Sequence, residues 1–321
     1  MNKPPMIILT GPTAVGKTNL SIKLAKEVSG EIISADSMQV YRYMNIGSAK
    51  IRPEQMEGIP HHLIDILEPW EEFNVVIFQQ RCRECLQGIY ERKHIPIVTG
   101  GTGFYIQALL REIDFTENEE NSHIRGRLEG LAVRRGAQYL HDMLARVDEP
   151  SAKAIHPNNI KRTIRALEYY ELTGKRISDH NEQEKSRQDA YNACYFVLND
   201  RRERIYERIE KRVDSMISEG LVEEVERLRE MGCHRGMVSM QGLGYKEILS
   251  YLEGGVSLEE AVRILKRDTR HFAKRQLTWF RREKDVIWVD KDFYMYDDEK
   301  IMGFMLQKMK EKNIFGNGEE L

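Results

Sequence analysis

Met6-Ile7-Ile8-Leu9-Thr10 runs directly into Gly11-Pro12-Thr13-Ala14-Val15-Gly16-Lys17-Thr18, and this stretch decides the fold. The uncharged run reads as a buried strand, and the spacing of Leu20, Leu24 and Val28 predicts a helix over residues 18–28. Between them lies a complete GxxxxGK[ST] loop in the strand-to-helix context that gives the motif its meaning. Successive backbone amides of such a loop join the positive end of the following helix to cradle linked phosphates. Lys17 adds a point charge, and the Thr18 hydroxyl can hold a magnesium ion. The loop alone leaves its anion open: the end of ATP, as in a kinase of a nucleotide or small metabolite, or some other diphosphate.

Outward from the loop, residues 31–35, 62–67 and 95–99 read as further strands, with helices between most of them, including one over 75–90. The alternation predicts an α/β fold, a P-loop NTPase-like parallel sheet flanked by helices, in which ligands bind beyond the carboxyl ends of the strands. After Ile113 the texture changes. Residues 114–122 are acidic and polar, 124–144 have helical periodicity, and 159–170 and the polar 178–188 continue without a strand-like run. Strand character returns at 193–198. The expected organisation is a P-loop core over 1–113, an all-helical insertion over 114–192, and the rest of the core with C-terminal helices over 193–321. In that last part, 204–217, 222–231, 245–252 and 258–281 read as helices, 286–289 as a final strand and 316–321 as a frayed tail.

The chain's 321 residues exceed what one hydrophobic core organises, in keeping with an inserted domain. With 41% hydrophobic and 31% charged residues, it can bury a sizeable core. Its longest apolar runs, such as 6–9 and 75–78, fall far short of the roughly 18 residues of a membrane span. The strand follows the N-terminus too closely for a leader, so a soluble, cytoplasmic protein is expected. Cys82 and Cys85 form a CxxC pair, but Cys194 and Cys233 supply no second pair for zinc, and the first sits in an amphipathic helical pattern, so a structural role is expected. Net charge is only −2, yet residues 261–284 hold nine Lys or Arg against two acids. That asymmetry suits either a solvated helix face balanced by nearby acids or a surface for a phosphate backbone.

Two more segments lie beyond strand ends. Asp36 follows the second strand and could serve as a general base, hold magnesium, or simply cap the chain's turn toward a helix. Gly100-Gly101-Thr102-Gly103 follows the strand at 95–99, its glycines permitting close backbone approach and Thr102 offering a hydroxyl to an oxyanion.

The ordered set GPTAVGKT, SADSMQVYR, VTGGTGFY, NNIKRTIRALE, GLVEEV, QGLGYKE and KRQLTWFRR, spanning residues 8 to about 289, resembles the bacterial tRNA dimethylallyltransferases, the tRNA isopentenyltransferase family. The resemblance implies prenylation of the exocyclic amine of adenosine 37 in the tRNA anticodon stem-loop. It implies that the loop Gly11 to Thr18 holds the diphosphate of dimethylallyl diphosphate with Mg2+, that Asp36 takes the amine's proton, and that Thr102 contacts the substrate phosphates. Either Arg208 or Arg212 is similar to a helical arginine reaching the diphosphate. For tRNA, the resemblance carries over Asp36, Ser37, Met38 and Gln39; Lys161, Arg162, Thr163, Ile164 and Arg165; and Arg125. Lys161 departs from the family, which more commonly has glutamine there; a cation can meet a phosphate in its place. The basic segment, with Arg270, Lys274 and Arg275, then reads as a backbone-tracking surface whose aromatics Phe272, Trp279 and Phe280 face the core. No cysteine and histidine module follows Val289, so no metal beyond magnesium is expected, and a monomer is expected.

Overall fold

The computed structural model describes residues 3–115 and 122–315. Its strands are β1 (Pro5–Thr10), β2 (Gly30–Ser34), β3 (His61–His62), β4 (Ile95–Gly100), β5 (Asn192–Asn199) and β6 (Ile287–Asp290), all parallel, in the order β3-β2-β4-β1-β5-β6. β1 lies between β4 and β5 with both faces covered, which is why its sequence is apolar without alternation. Met6 and Ile8 face one core with α2 (Val75–Glu91), α11 (Tyr245–Leu252) and α12 (Leu258–Phe280). Ile7 and Leu9 face the other with α1 (Lys17–Glu27) and α13 (Asp298–Glu311).

The chain divides into two compact units, one of residues up to Leu110 together with those from Ala190 onward, the other Arg111–Asp189. Both boundaries fall three residues before the expected 113/114 and 192/193, because the Ala190 amide donates to the Leu110 carbonyl at 2.7 Å and closes the neck inside the first unit. The second unit is helical: α4 (Ser122–Arg135), α5 (Ala137–Val147), α6 (Glu149–Ala154), α7 (Ile160–Thr173) and α8 (Ile177–Ser186). It has its own core, with Leu128, Leu140, Leu144, Ile164 and Leu167.

Two expectations about elements are refined. The helical periodicity over 124–144 resolves into two helices, α4 and α5, broken at Gly136, whose φ of 84° and ψ of 168° cannot continue a helix. The strand over 62–67 shrinks to His61–His62 because Leu63 and Asp65 take φ of 62° and 53°, leaving only an isolated bridge between Tyr41 and Leu67. The tail at 316–321 and most of the acidic stretch at 114–122 lie outside the described residues. Cys82 and Cys85 lie one turn apart on α2, and burial pushes both thiols up, as a structural role requires. Among the described residues no helix is long and apolar enough to cross a membrane.

Candidate active site

The motifs meet at the carboxyl ends of β1, β2 and β4. Gly11 leaves β1 with φ of 145°, and a Cβ there would lie 2.4 Å from the Leu198 carbonyl oxygen of β5, so only glycine fits. Ala14 (φ 65°) and Gly16 (φ 97°) then turn the loop into α1, whose N-terminus has no capping side chain. Its first amides are thereby left to face a ligand, the arrangement that binds anions. Val15 anchors the loop from within the core, and Ala14 packs beside Ile205, Ile209 and Ala273. Lys17 Nζ donates to the carbonyls of Gly11 (3.0 Å) and Pro12 (2.9 Å). Burial pushes its pKa down to about 7, helped by the charge of Arg212 and opposed by Asp36.

Asp36 sits just past β2, where Ala35 N donates to Thr99 O (2.7 Å) and Thr102 N to Ala35 O (3.4 Å), knitting β2 to β4 and its glycine turn. One carboxylate oxygen, Oδ1, accepts from the amides of Met38 (2.8 Å) and Gln39 (3.4 Å), an Asx turn that fixes the side chain. Burial raises the Asp36 pKa, against those two amides and the charges of Lys17 and Arg212. Asp36 therefore does cap its turn, and it lines two cavities at once.

The first cavity, about 280 Å³, is walled by Thr13, Ala14 and Gly16 to Thr18 of the phosphate loop, the Gly100-Gly101 turn and Gln39. The second, about 500 Å³, is more apolar, with Ser37, Met38, Phe73, Thr102, Tyr105, Leu265 and Arg275 in its wall. Thr13, Asp36, Ser48, Ala49, Arg212 and Phe272 line both. An anion cradle thus adjoins an apolar chamber across a wall carrying a carboxylate, a guanidinium and an aromatic ring.

Of the two arginines that sequence left open, Arg212 is the one at the cavities, on α9 (Arg202–Ser218), with Nη1 donating to Thr13 Oγ1 at 3.4 Å. Arg208, one turn earlier, is instead drawn to Asp200 just beyond β5, with Nη1 3.0 Å from Oδ2, and lines neither cavity. Of the pair left open, Arg212 is thus the one beside the phosphate loop. Phe272 also departs from expectation: it lines the shared wall, whereas Phe280 is buried in the core and Trp279 packs over Gly103. On α12, Arg270 pairs with Glu210 at 2.8 Å, Arg275 lies over the Phe272 ring 5.8 Å from its centroid, and Lys274 is exposed.

In the helical unit, Glu168 is fully buried and gathers Arg125 Nη2 at 2.8 Å and Arg165 Nη1 at 3.5 Å, so both arginines have a structural partner there. Thr163 and Ile164 are buried, Thr163 Oγ1 donating to Asn159 O at 3.2 Å. Within 161–165 the exposed side chains are Lys161 and Arg162, while Thr163 and Ile164 are buried on the inner side of the helix that presents them.

With the geometry in place, comparison with known proteins is specific. The model of the IPP transferase family matches residues 39–283, and that of isopentenyl transferase matches residues 5–66. The chain is 60% identical over 310 residues to the tRNA dimethylallyltransferase of Lachnoclostridium phytofermentans, covering 97% of this chain and 99% of that one. It is similar to the crystal structure of the full-length tRNA isopentenylpyrophosphate transferase of Bacillus halodurans, at 43% identity and a TM-score of 0.73, covering 98% of this chain and 99% of that one. A eukaryotic dimethylallyltransferase acting on tRNA superposes with a TM-score of 0.82 at 29% identity, covering 97% of this chain and 80% of that one.

Proposed function

The chain belongs to the IPP transferase family, and from that premise we propose that it transfers the dimethylallyl group of dimethylallyl diphosphate to the exocyclic amine of adenosine 37 in the anticodon stem-loop of tRNA, releasing diphosphate. The single observation that carries the reading is the wall shared by the two cavities, where Asp36 lies between a phosphate cradle and an apolar chamber. An allylic diphosphate ionises readily because its carbocation is delocalised, so the protein's task on that side is to stabilise the departing diphosphate. The amides of Ala14 to Thr18, the Lys17 ammonium and the Arg212 guanidinium are the groups for it. On the other side the adenine amine is a poor nucleophile, its lone pair conjugated with the ring. As its nitrogen bonds to the allylic carbon and the carbon–oxygen bond breaks toward diphosphate, its proton passes to Asp36, whose burial raises its basicity. Reaching Asp36 requires the base to leave its stack, and the apolar chamber with Phe73, Phe272 and Tyr105 suits an extruded purine.

Magnesium fits as an ion shared with the substrate. Thr18 would hold it through its hydroxyl, and among the described residues no group of three or more His, Cys, Asp or Glu side chains forms a cage for a metal without the diphosphate. When bound, it supplies positive charge to the leaving oxygens. The proposal includes a cytoplasmic monomer. Its test is incubation of unmodified tRNA with dimethylallyl diphosphate and Mg2+, followed by nucleoside mass analysis. One added five-carbon unit on adenosine 37 is expected; an unmodified nucleoside, with labelled ATP passing phosphate to an acceptor, would make the protein a kinase instead.

A further inference from the structure

The side chain of Gln276, on the inner face of α12, is only 6% exposed and bridges two loops that sequence order separates. Its Oε1 accepts from the Thr13 amide at 2.8 Å, and its Nε2 donates to the Gly101 carbonyl at 3.0 Å. Accepting at one end and donating at the other is what a carboxamide does, and the pairing fixes which end is oxygen. The bridge also leaves its mark in the sequence of the glycine turn. A Cβ on Gly101 would lie 2.0 Å from Gln276 Nε2, and one on Gly103 would lie 2.2 Å from Trp279 Cδ1 of the same helix. Two glycines of this turn are therefore explained by the close approach of α12.

Thr13 is the residue through which this tie reaches the chemistry. Its hydroxyl receives Arg212 Nη1 at 3.4 Å, it lines both cavities, and Ala14 after it takes a φ of 65° that an alanine holds only when its surroundings impose it. The Thr13 amide is turned toward Gln276 and so is spent on the bridge.

We propose that Gln276 is a positioning residue: it locks the phosphate loop against the Gly100 to Gly103 turn in the geometry that grips diphosphate. This rests on the proposed function, and the test separates the two. Inorganic diphosphate with Mg2+ is titrated into the full-length wild-type protein and into Gln276→Leu, Gln276→Glu, Gly101→Ala and the Gln276→Leu/Gly101→Ala double variant. Prenyl transfer, tRNA binding and thermal unfolding are followed in parallel. Gln276→Leu, of similar volume but with no hydrogen bond, is expected to unfold within a few degrees of wild type and to bind tRNA within about twofold, while losing roughly tenfold in diphosphate affinity and raising KM for dimethylallyl diphosphate in proportion. Gln276→Glu, which still accepts from Thr13 but opposes an oxygen to the Gly101 carbonyl, should lose less. Gly101→Ala should reproduce the leucine phenotype, with the double variant no worse than the more damaged single one. Wild-type affinity for diphosphate in Gln276→Leu, or a loss that falls equally on tRNA binding, diphosphate binding and unfolding temperature, overturns the inference. Wild-type protein that neither binds diphosphate nor prenylates tRNA overturns the proposed function, and the positioning role with it.

Discussion

At Asp36, the observed cap of the turn and the proposed acceptance of a proton use the same side chain, and a substitution can separate them. Asp36→Asn keeps an Oδ1 that accepts from Met38 and Gln39 but cannot take up a proton at neutral pH. Turnover should fall by about 10²–10⁴ while diphosphate and tRNA affinities stay near wild type, as single-turnover transfer and equilibrium binding will read. Equal losses in binding would make Asp36 a positioning group. Because burial raises the carboxyl's pKa, the wild-type rate should decline with falling pH at values above the ordinary carboxylate range, and the Asp36→Asn variant should lack that limb. Lys17 gives a second pH signature. With its pKa near 7, it is partly neutral at pH 7.5, and an anion in the cradle favours the charged form. Diphosphate binding at pH 7.5–8 should therefore take up protons, and at pH 6 that contribution should vanish because Lys17 is already charged. Calorimetry in buffers of different ionisation enthalpy measures this directly, and an uptake that Lys17→Met leaves unchanged assigns the proton to another group.

Single elements show which parts of the fold a sequence can carry. The phosphate loop is legible because its constraints are local: a buried strand, a glycine at the turn into the helix and a helix start all fall within residues 6–28. α13 escapes prediction although Ile301, Met302, Met305 and Met309 follow helical spacing behind the Asp297 cap, so a usable signal is there. Gln276 carries no signal at all, since one glutamine in a basic helix acquires its role only when Thr13 and Gly101 reach it from 263 and 175 residues away. Glu31 is of the same kind. Only 1% exposed on β2, it receives Arg92 through two hydrogen bonds of 2.7 Å and meets His62 and His94 at 2.7 Å, binding together β2, β3, the end of α2 and the approach to β4. The Arg92 guanidinium, and then the two imidazoles, against a burial that works the other way, bring its pKa down to about 2. A depressed carboxyl stabilises the fold fully above its unfolded value, about 4.5, and loses that contribution as pH falls toward 2. Glu31→Gln should therefore cost about 2 kcal/mol in urea unfolding at pH 7, with the gap to wild type narrowing steadily below pH 4.5. A gap independent of pH would assign the cost to packing.

For the molecule as a whole, the two-unit division is readable from texture, whereas the electrostatic surface is not, because sequence counts charges without their partners. The excess over 261–284 is met in part in the fold: four of the nine cations are paired, Arg263 with Glu260, Lys266 with Asp214, Arg267 with Asp268 and Arg270 with Glu210. Exposed pairs of this sort contribute little to stability, but they lower what each cation offers a polyanion, since its carboxylate must first be displaced. Lys274 and Arg275 differ, Lys274 making no ion pair among the described residues and Arg275 lying at the rim of the apolar chamber over Phe272. If tRNA runs its backbone along this helix, these two should carry more of the counterion release than Arg270. Lys274→Ala with Arg275→Ala should weaken binding to all tRNA sequences alike and flatten the slope of log K against log salt by about 1–2, at roughly 0.7–0.9 for each phosphate deprived of its cation. Arg270→Ala should change the slope less than either single substitution, because the charge it removes is already engaged by Glu210. Filter binding from about 50 to 200 mM salt distinguishes the cases. A slope that stays at its wild-type value in the double variant moves the tRNA backbone off α12, leaving Arg275 as part of the chamber wall.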